Sequence, residues 1–276
     1  MSPVFDTPTA PSPSDPAPTT EHAGALVELA VAITADARAQ GVALKALGGI
    51  GCWLHVADHG ADAAAFSRDF HDLDLVVPHK QRRALAAIFQ ARGLQPVESF
   101  NAVQGETRLM FTDGVSDRVV DVFLGHFVMC HTVPLERDAF AWAEHPSLDL
   151  VELVLTKLQV VESNAKDLND VAALLAHHEL GDGAERLNAD RLARRLAGDW
   201  GLWRTVTGNL DRLAGAAGEG RLPAAGQTVA ARTFELRQRI DGAAKTLRWK
   251  ARAKVGERVP WYDTPEEPES TWAAVR

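Results

Sequence analysis

The sequence predicts an α/β (α+β) domain with a small mixed sheet, followed by an all-helical C-terminal domain. Three observations carry this. Short apolar runs rich in β-branched residues, punctuated by turn residues, alternate with helical patterns up to about residue 145. After Pro146 the apolar period becomes that of amphipathic helices and stays so to about residue 258. Before all of this, residues 1–21 hold six of the 14 prolines, a composition that cannot bury enough apolar area to order itself. The expected division is a disordered tail over 1–22, an α/β domain over 23–145, a helical domain over 146–258 and an irregular tail over 259–276.

Each element follows from local pattern. Leu26, Leu29, Ala30 and Ile33 fall at helical spacing, so a helix is expected from His22 to Gln40, ended by Gly41. Val42–Leu47 is short and apolar and reads as a strand. Gly48-Gly49 follows, then a helix over Ile50–His59. Leu73–Val77 stops at Pro78 and reads as a strand buried on both faces. Lys80–Arg92 is a helix ended by Gly93. Leu94–Phe100, Thr107–Phe111 and Arg118–Leu124 are strand candidates, with Asp113-Gly114 as the turn between the last two. Helices are then expected over Leu148–Val161, Lys166–His177, 189–198, 200–214 and about 224–253. The closing VPWYDTPEEPESTW reads as irregular.

Composition narrows the class. The chain has 276 residues, 46% hydrophobic and 24% charged, which is ordinary globular usage with room for a sizeable core. Two cysteines, Cys52 and Cys130, exclude a disulfide scaffold and a four-cysteine zinc site. No apolar stretch is long enough to span a membrane, and the first 22 residues lack the pattern of a secretory signal. A soluble cytoplasmic protein is the expectation. The net charge of −8 excludes a uniformly basic nucleic-acid coat protein, but the charge is uneven. Residues 1–185 hold 12 Lys/Arg against 26 Asp/Glu, whereas residues 186–258 hold 16 against 7. Either two solvated faces of opposite sign dock on each other, or the basic part attracts a polyanion such as RNA or a triphosphate.

The most informative segment is Asp72-Leu73-Asp74-Leu75-Val76-Val77. On a strand, Asp72 and Asp74 share a face. Two carboxylates so placed repel, and a hard divalent cation, Mg²⁺ or Mn²⁺, is the natural neutraliser. A third carboxylate interrupts the apolar run Val119-Val120-Asp121-Val122-Phe123, where a charge is costly unless paired or metal-bound. If the two strands are neighbours, Asp121 joins Asp72 and Asp74. Otherwise Asp72 and Asp74 cap a strand end, and Asp121 pairs with Arg118 or Arg108. Gly48-Gly49, at a strand-to-helix junction, would let backbone N–H groups approach an anion. His126, His131 and Cys130 lie near Asp121, but their spacing suits structural roles better than a zinc site. The tryptophans, among them Trp200, Trp203 and Trp249, read first as core.

Taken together, Gly48-Gly49, Asp72, Asp74 and Asp121 resemble the signature of the nucleotidyltransferase superfamily related to DNA polymerase beta. The stretch from Lys157-Leu158 through Asp167-Leu168-Asn169-Asp170 to Leu174-Leu175 resembles a subgroup containing abortive-infection toxin and antibiotic-modifying enzymes. The resemblance covers about residues 42–178. The chain departs from the pattern in the length of the 50–71 segment, in His71 before Asp72, and in Arg118 where relatives often place lysine. The resemblance implies a nucleotidyltransferase-like catalytic domain over 23–145. Its reaction would be Mg²⁺- or Mn²⁺-dependent transfer of a nucleoside monophosphate from an NTP, ATP among the candidates, to RNA, a protein or a small molecule, releasing pyrophosphate. Asp72 and Asp74 would hold metal on the triphosphate, and Asp121 would bind a second metal or accept a proton. Gly48, Gly49, Lys157, Lys166 and Arg68 would bind the nucleotide; the alternative for Asp167 and Asp170 is that they pair with basic residues and orient their helix, and for Lys157 that it is a solvated helix lysine. Partners would be the NTP, RNA through the basic 186–258 region, and an antitoxin if the chain is a toxin; no membrane partner is expected. The rival readings are a non-catalytic nucleotide- or partner-binding protein on the same fold, and a γ-phosphate transferase.

Overall fold

The computed structural model of the chain describes residues 20–113, 118–135 and 137–264. It is mixed α/β. Helix α1 (Thr20–Ala39) leads into a two-residue strand β1 (Lys45–Ala46), then α2 (Gly48–Val56), a short α3 (Ala61–Ala64) and strand β2 (Asp72–Val77). Helix α4 (Leu85–Ala91), β3 (Gln95–Pro96), α5 (Glu98–Gln104), β4 (Arg108–Thr112) and β5 (Val119–Leu124) follow. A hairpin of β6 (His126–Val128) and β7 (Thr132–Pro134) precedes five helices. These are α6 (Leu150–Leu158), α7 (Ala165–His177), α8 (Ala189–Gly198), α9 (Trp200–Gly218) and α10 (Gly226–Gly242). A last helix, α11 (Leu247–Val255), ends the regular structure. Among the described residues no helix is long and apolar enough to cross a membrane.

The main sheet has the order β1-β2-β5-β4-β3. Its centre is a parallel pair, β2 with β5, and every other pairing is antiparallel. The two faces serve different neighbours. Leu73, Leu75 and Val77 of β2, with Val120, Val122 and Leu124 of β5, pack with Leu26 and Ile33 of α1 and Phe89 of α4. Val76 and Phe123 point the other way and share a core with α2 and α6 to α10. Strand alternation therefore puts Asp72, Asp74 and Asp121 on the face that meets the helices. The helical part is joined to the sheet by this core and by Ala46, which bridges Ser147. Opposite charges also meet: Arg195 of α8 pairs with the fully buried Glu152 of α6 at 2.9 Å, and Arg191 pairs with Asp149.

Several boundaries differ from the sequence reading. Helix α1 begins at Thr20, so residues 20–22 belong to it, and residues 1–19 lie outside the described residues. The strand expected over 42–47 shrinks to Lys45–Ala46, the only part that finds β2 as an edge partner. The 80–92 helix splits into a 3₁₀ segment, His79–Ala84, and α4.

The strand expected over 94–100 is the clearest error. Only Gln95 and Pro96 pair with β4, and α5 starts at Glu98. Pro96 has no N–H to extend the ladder, and Asn101 holds the helix against β4 by accepting from Met110 N at 2.7 Å and donating to Met110 O at 3.0 Å. The long 224–253 helix is broken at Ala243, whose ψ of 136° is extended. Lys245 Nζ donates to the Ile240 and Ala243 carbonyls, and Thr246 caps α11 by accepting from Trp249 N. Of the Asp113-Gly114 turn, Gly114 lies outside the described residues, as do 265–276 of the closing tail. The described part of that tail, Val259–Thr264, is irregular, and Asp263 N donates to Cys130 O at 2.9 Å.

Candidate functional site

The parallel register places Asp74 directly opposite Asp121. Neighbouring strands lie about 4.8 Å apart, so two carboxylates on one face at this register are close neighbours. Asp72 stands two residues earlier on the same face. The three differ in environment: Asp72 is exposed, Asp74 half-buried and Asp121 5% exposed.

Their partners differ as well. Asp121 takes a bidentate pair from Arg108, with Nε to Oδ1 at 3.0 Å and Nη2 to Oδ2 at 2.6 Å. Among the described residues neither the Asp72 nor the Asp74 carboxylate has a hydrogen-bond or ion-pair partner. Burial, and then the charges of Asp72 and Asp121, push the Asp74 carboxyl up to about 8, against the pull of Lys157 and Arg108. Burial also raises Asp121, and the Arg108 guanidinium only partly offsets it.

Beside Asp74 lies the start of α2. Gly48 has φ +64°, and a Cβ there would sit 2.3 Å from Asp74 Oδ2. Leu47 N donates to Asp74 O at 3.0 Å, which ties this turn to β2. The first N–H groups of a helix have no intrahelical acceptor, and Leu47 offers those of α2 no side-chain cap. A Cβ on Gly49 would lie 2.1 Å from an Arg68 nitrogen. Glycine at both positions thus lets Asp74 and Arg68 close on the helix start.

Arg68 and Lys157 complete the wall. Arg68 binds Asp170 through Nε at 3.0 Å and Nη2 at 2.9 Å, and lies over the Phe70 ring. Lys157 Nζ lies 2.8 Å from both Asp167 and Asp170. Burial alone would lower the Lys157 ammonium, but Asp170 and Asp167 hold it above its ordinary value. Asp170 would be raised by burial, yet Lys157 and Arg68 keep it below the usual carboxylate range. The capping Asn164, which accepts from Asp167 N, starts α7 so that Asp167 and Asp170 project toward α6.

Of the residues singled out from the sequence, Asp72, Asp74, Asp121, Gly48, Gly49, Arg68 and Lys157 converge. Lys166 does not join them by any contact; it is exposed on the first turn of α7. Two arrangements stood in the sequence only as alternatives. Arg108 entered only as one alternative partner for Asp121, and its diagonal placement follows from the β4–β5 register, with Met110 opposite Asp121. Lys157 and Arg68 were read as phosphate ligands, whereas both are already paired with acidic residues of α7. His131, near Asp121 in sequence, bonds Thr205 Oγ1 through Nε2 at 2.8 Å, and Cys130 Sγ accepts from Val161 N.

The donor set suits a hard cation only in part. Among the described residues no three His, Cys, Asp or Glu side chains form a ready-made metal cage. Asp121 is committed to Arg108. Asp72 and Asp74 remain, offering oxygen ligands of the kind Mg²⁺ and Mn²⁺ take. The sequence matches no protein-family model, and no curated protein matches it.

Proposed function

We propose that this chain is a Mg²⁺- or Mn²⁺-dependent nucleotidyltransferase with a DNA polymerase beta-like catalytic domain. It would move a nucleoside monophosphate from an NTP to an acceptor hydroxyl. One observation carries the reading: the partnerless Asp72–Asp74 pair stands beside Asp121 at the open N-terminus of α2. Asp72 and Asp74 hold the divalent ion. When bound, that ion neutralises triphosphate charge and polarises the phosphoryl group under attack.

The chain's own residues supply the rest. The N–H groups at Gly48-Gly49 receive phosphate oxygens. Lys157 and Arg68, paired with Asp167 and Asp170, fix the wall of the site. Asp121, buried and with a raised pKa, accepts the acceptor's proton. The acceptor oxygen forms a bond to the α-phosphorus, the bond from that phosphorus to the α,β-bridging oxygen breaks, and pyrophosphate leaves with the electron pair.

The test is transfer from each of four α-³²P-labelled NTPs, with Mg²⁺ or Mn²⁺, to RNA, protein or small molecules in a lysate. The Asp72→Asn/Asp74→Asn double variant runs alongside. Label moved by the wild type and lost in the double variant supports the reading and identifies the acceptor class. Movement of γ-label in place of α-label overturns it in favour of a kinase-like transfer. Nucleotide binding without transfer to any acceptor favours the non-catalytic alternative.

A further inference from the structure

The two strand carboxylates without partners and the third with a complete one differ in kind. Both oxygens of Asp121 are occupied by Nε and Nη2 of Arg108. The guanidinium is also held by two rings, 5.0 Å from the Phe123 centroid and 5.6 Å from that of Phe100. Phe123 is the cross-strand neighbour of Arg108 and Phe100 belongs to α5, so two separate elements hold the fork in place. Bidentate, charge-assisted pairs are the strongest of their class, and this one lies where Asp121 is almost fully shielded from water. Displacing it with a metal ion would leave a cation without its acceptor in a desolvated place, which is costly.

We infer that Arg108 is the built-in second cation of this site, so that a single divalent ion, on Asp72 and Asp74, completes it. The inference rests on the nucleotidyltransferase reading for its setting but concerns this chain's own ion count. The charges fit: Arg108 balances one carboxylate and one divalent ion balances the other two. The pairing leaves Nη1 of Arg108 without a partner among the described residues. Asp121 is then a base positioned by Arg108 rather than a metal ligand, and Arg108 is a positioning residue.

The experiment is a titration of the full chain with Mn²⁺ alone, followed by loss of the free-ion electron paramagnetic resonance signal. The wild type is expected to take up one Mn²⁺. Arg108→Gln, which frees Asp121 without a charge in its place, is expected to take up two, and Arg108→Lys to return to one. Asp121→Asn is expected to keep one ion with affinity within about threefold of wild type, whereas Asp72→Asn loses about tenfold or more. Two ions in the wild type, none in the wild type, or no second ion in a folded Arg108→Gln would each overturn the inference. If Arg108→Gln does not fold, Asp121→Asn decides: a loss of about tenfold or more would make Asp121 a ligand and overturn it. The labelled-NTP assay separates this from the function itself. Transfer with two Mn²⁺ keeps the enzyme and discards the single-ion site; one Mn²⁺ with no transfer does the reverse.

Discussion

An alanine at position 48 meets two obstacles. The backbone there sits at φ +64°, a region that costs an L-residue about 1–2 kcal/mol. The new Cβ would also lie 2.3 Å from Oδ2 and 3.1 Å from Cγ of Asp74. Asp74 cannot retreat as a unit, because its strand is fixed on one side by β5 and its carbonyl accepts from Leu47 N. The carboxylate must leave its rotamer, and crowding of this kind costs about 1–3 kcal/mol. Gly48→Ala is therefore expected to lose about 2–5 kcal/mol, read as a shift in the urea midpoint at unchanged m. The double-mutant cycle with Asp74→Ala isolates the clash: the conformational part persists, the carboxylate part vanishes, and the coupling is about 1–3 kcal/mol. Under the proposed function, transfer activity should fall about a hundredfold, since the displaced carboxylate is one of the two proposed to hold metal. A loss under about 1 kcal/mol, or equal losses in both backgrounds, would refute the close packing of Gly48 on Asp74.

Three further outcomes follow from the same geometry. Asp74→Asn should abolish transfer yet raise the melting temperature when no divalent ion is present. The native carboxyl is raised from 3.8 to about 8, so the folded state favours the proton, and the group's stabilising contribution is lost as pH rises from about 4 to 8. The advantage of the variant should widen over that range, and Mg²⁺ should raise the wild-type melting temperature only; a variant less stable than wild type at pH 8 would contradict this. Lys157→Met strands Asp167 and weakens the pairing of Asp170, which keeps Arg68, so about 3 kcal/mol should be lost in urea titration, partly restored by adding Asp167→Asn. An unchanged midpoint would show that the lysine is not structural. His55 is buried, donates from Nε2 to Leu148 O at 2.7 Å and stacks on His145, and burial followed by the charge of His145 pushes it down to about 3. Its stability contribution is complete above about pH 6.5 and is lost as pH falls from there toward 3, so His55→Leu should show a shallower loss of melting temperature between pH 7 and pH 5. Equal slopes in the two proteins would rule this out.

Local pattern was enough for some of this molecule and not for the rest. Helices α7 and α8 were legible almost to the residue, because their apolar residues repeat at the helical period and Asn164 and Asn188 cap them. The carboxylates were legible too, since a strand's alternation fixes Asp72 and Asp74 to one face whatever the partner, and Asp121 breaks an apolar run. Short-range signals failed where an element depends on what it pairs with. Gln95–Phe100 has strand-like composition, but a strand needs an edge, and β4 offers its edge only as far as Pro96 before Asn101 claims the Met110 backbone. The same limit hid the roles of the basic residues. Nothing near Lys157, Arg68 or Arg108 in sequence says which acid each will meet, because ion pairs join residues 102 positions apart as readily as 13. Sequence by itself determined which residues are charged, which faces of a strand they share and where the capped helices α7 and α8 begin. Tertiary structure alone decided which charges cancel, because that depends on strand register and helix packing, and so left Asp72 and Asp74 as the carboxylates open to a cation.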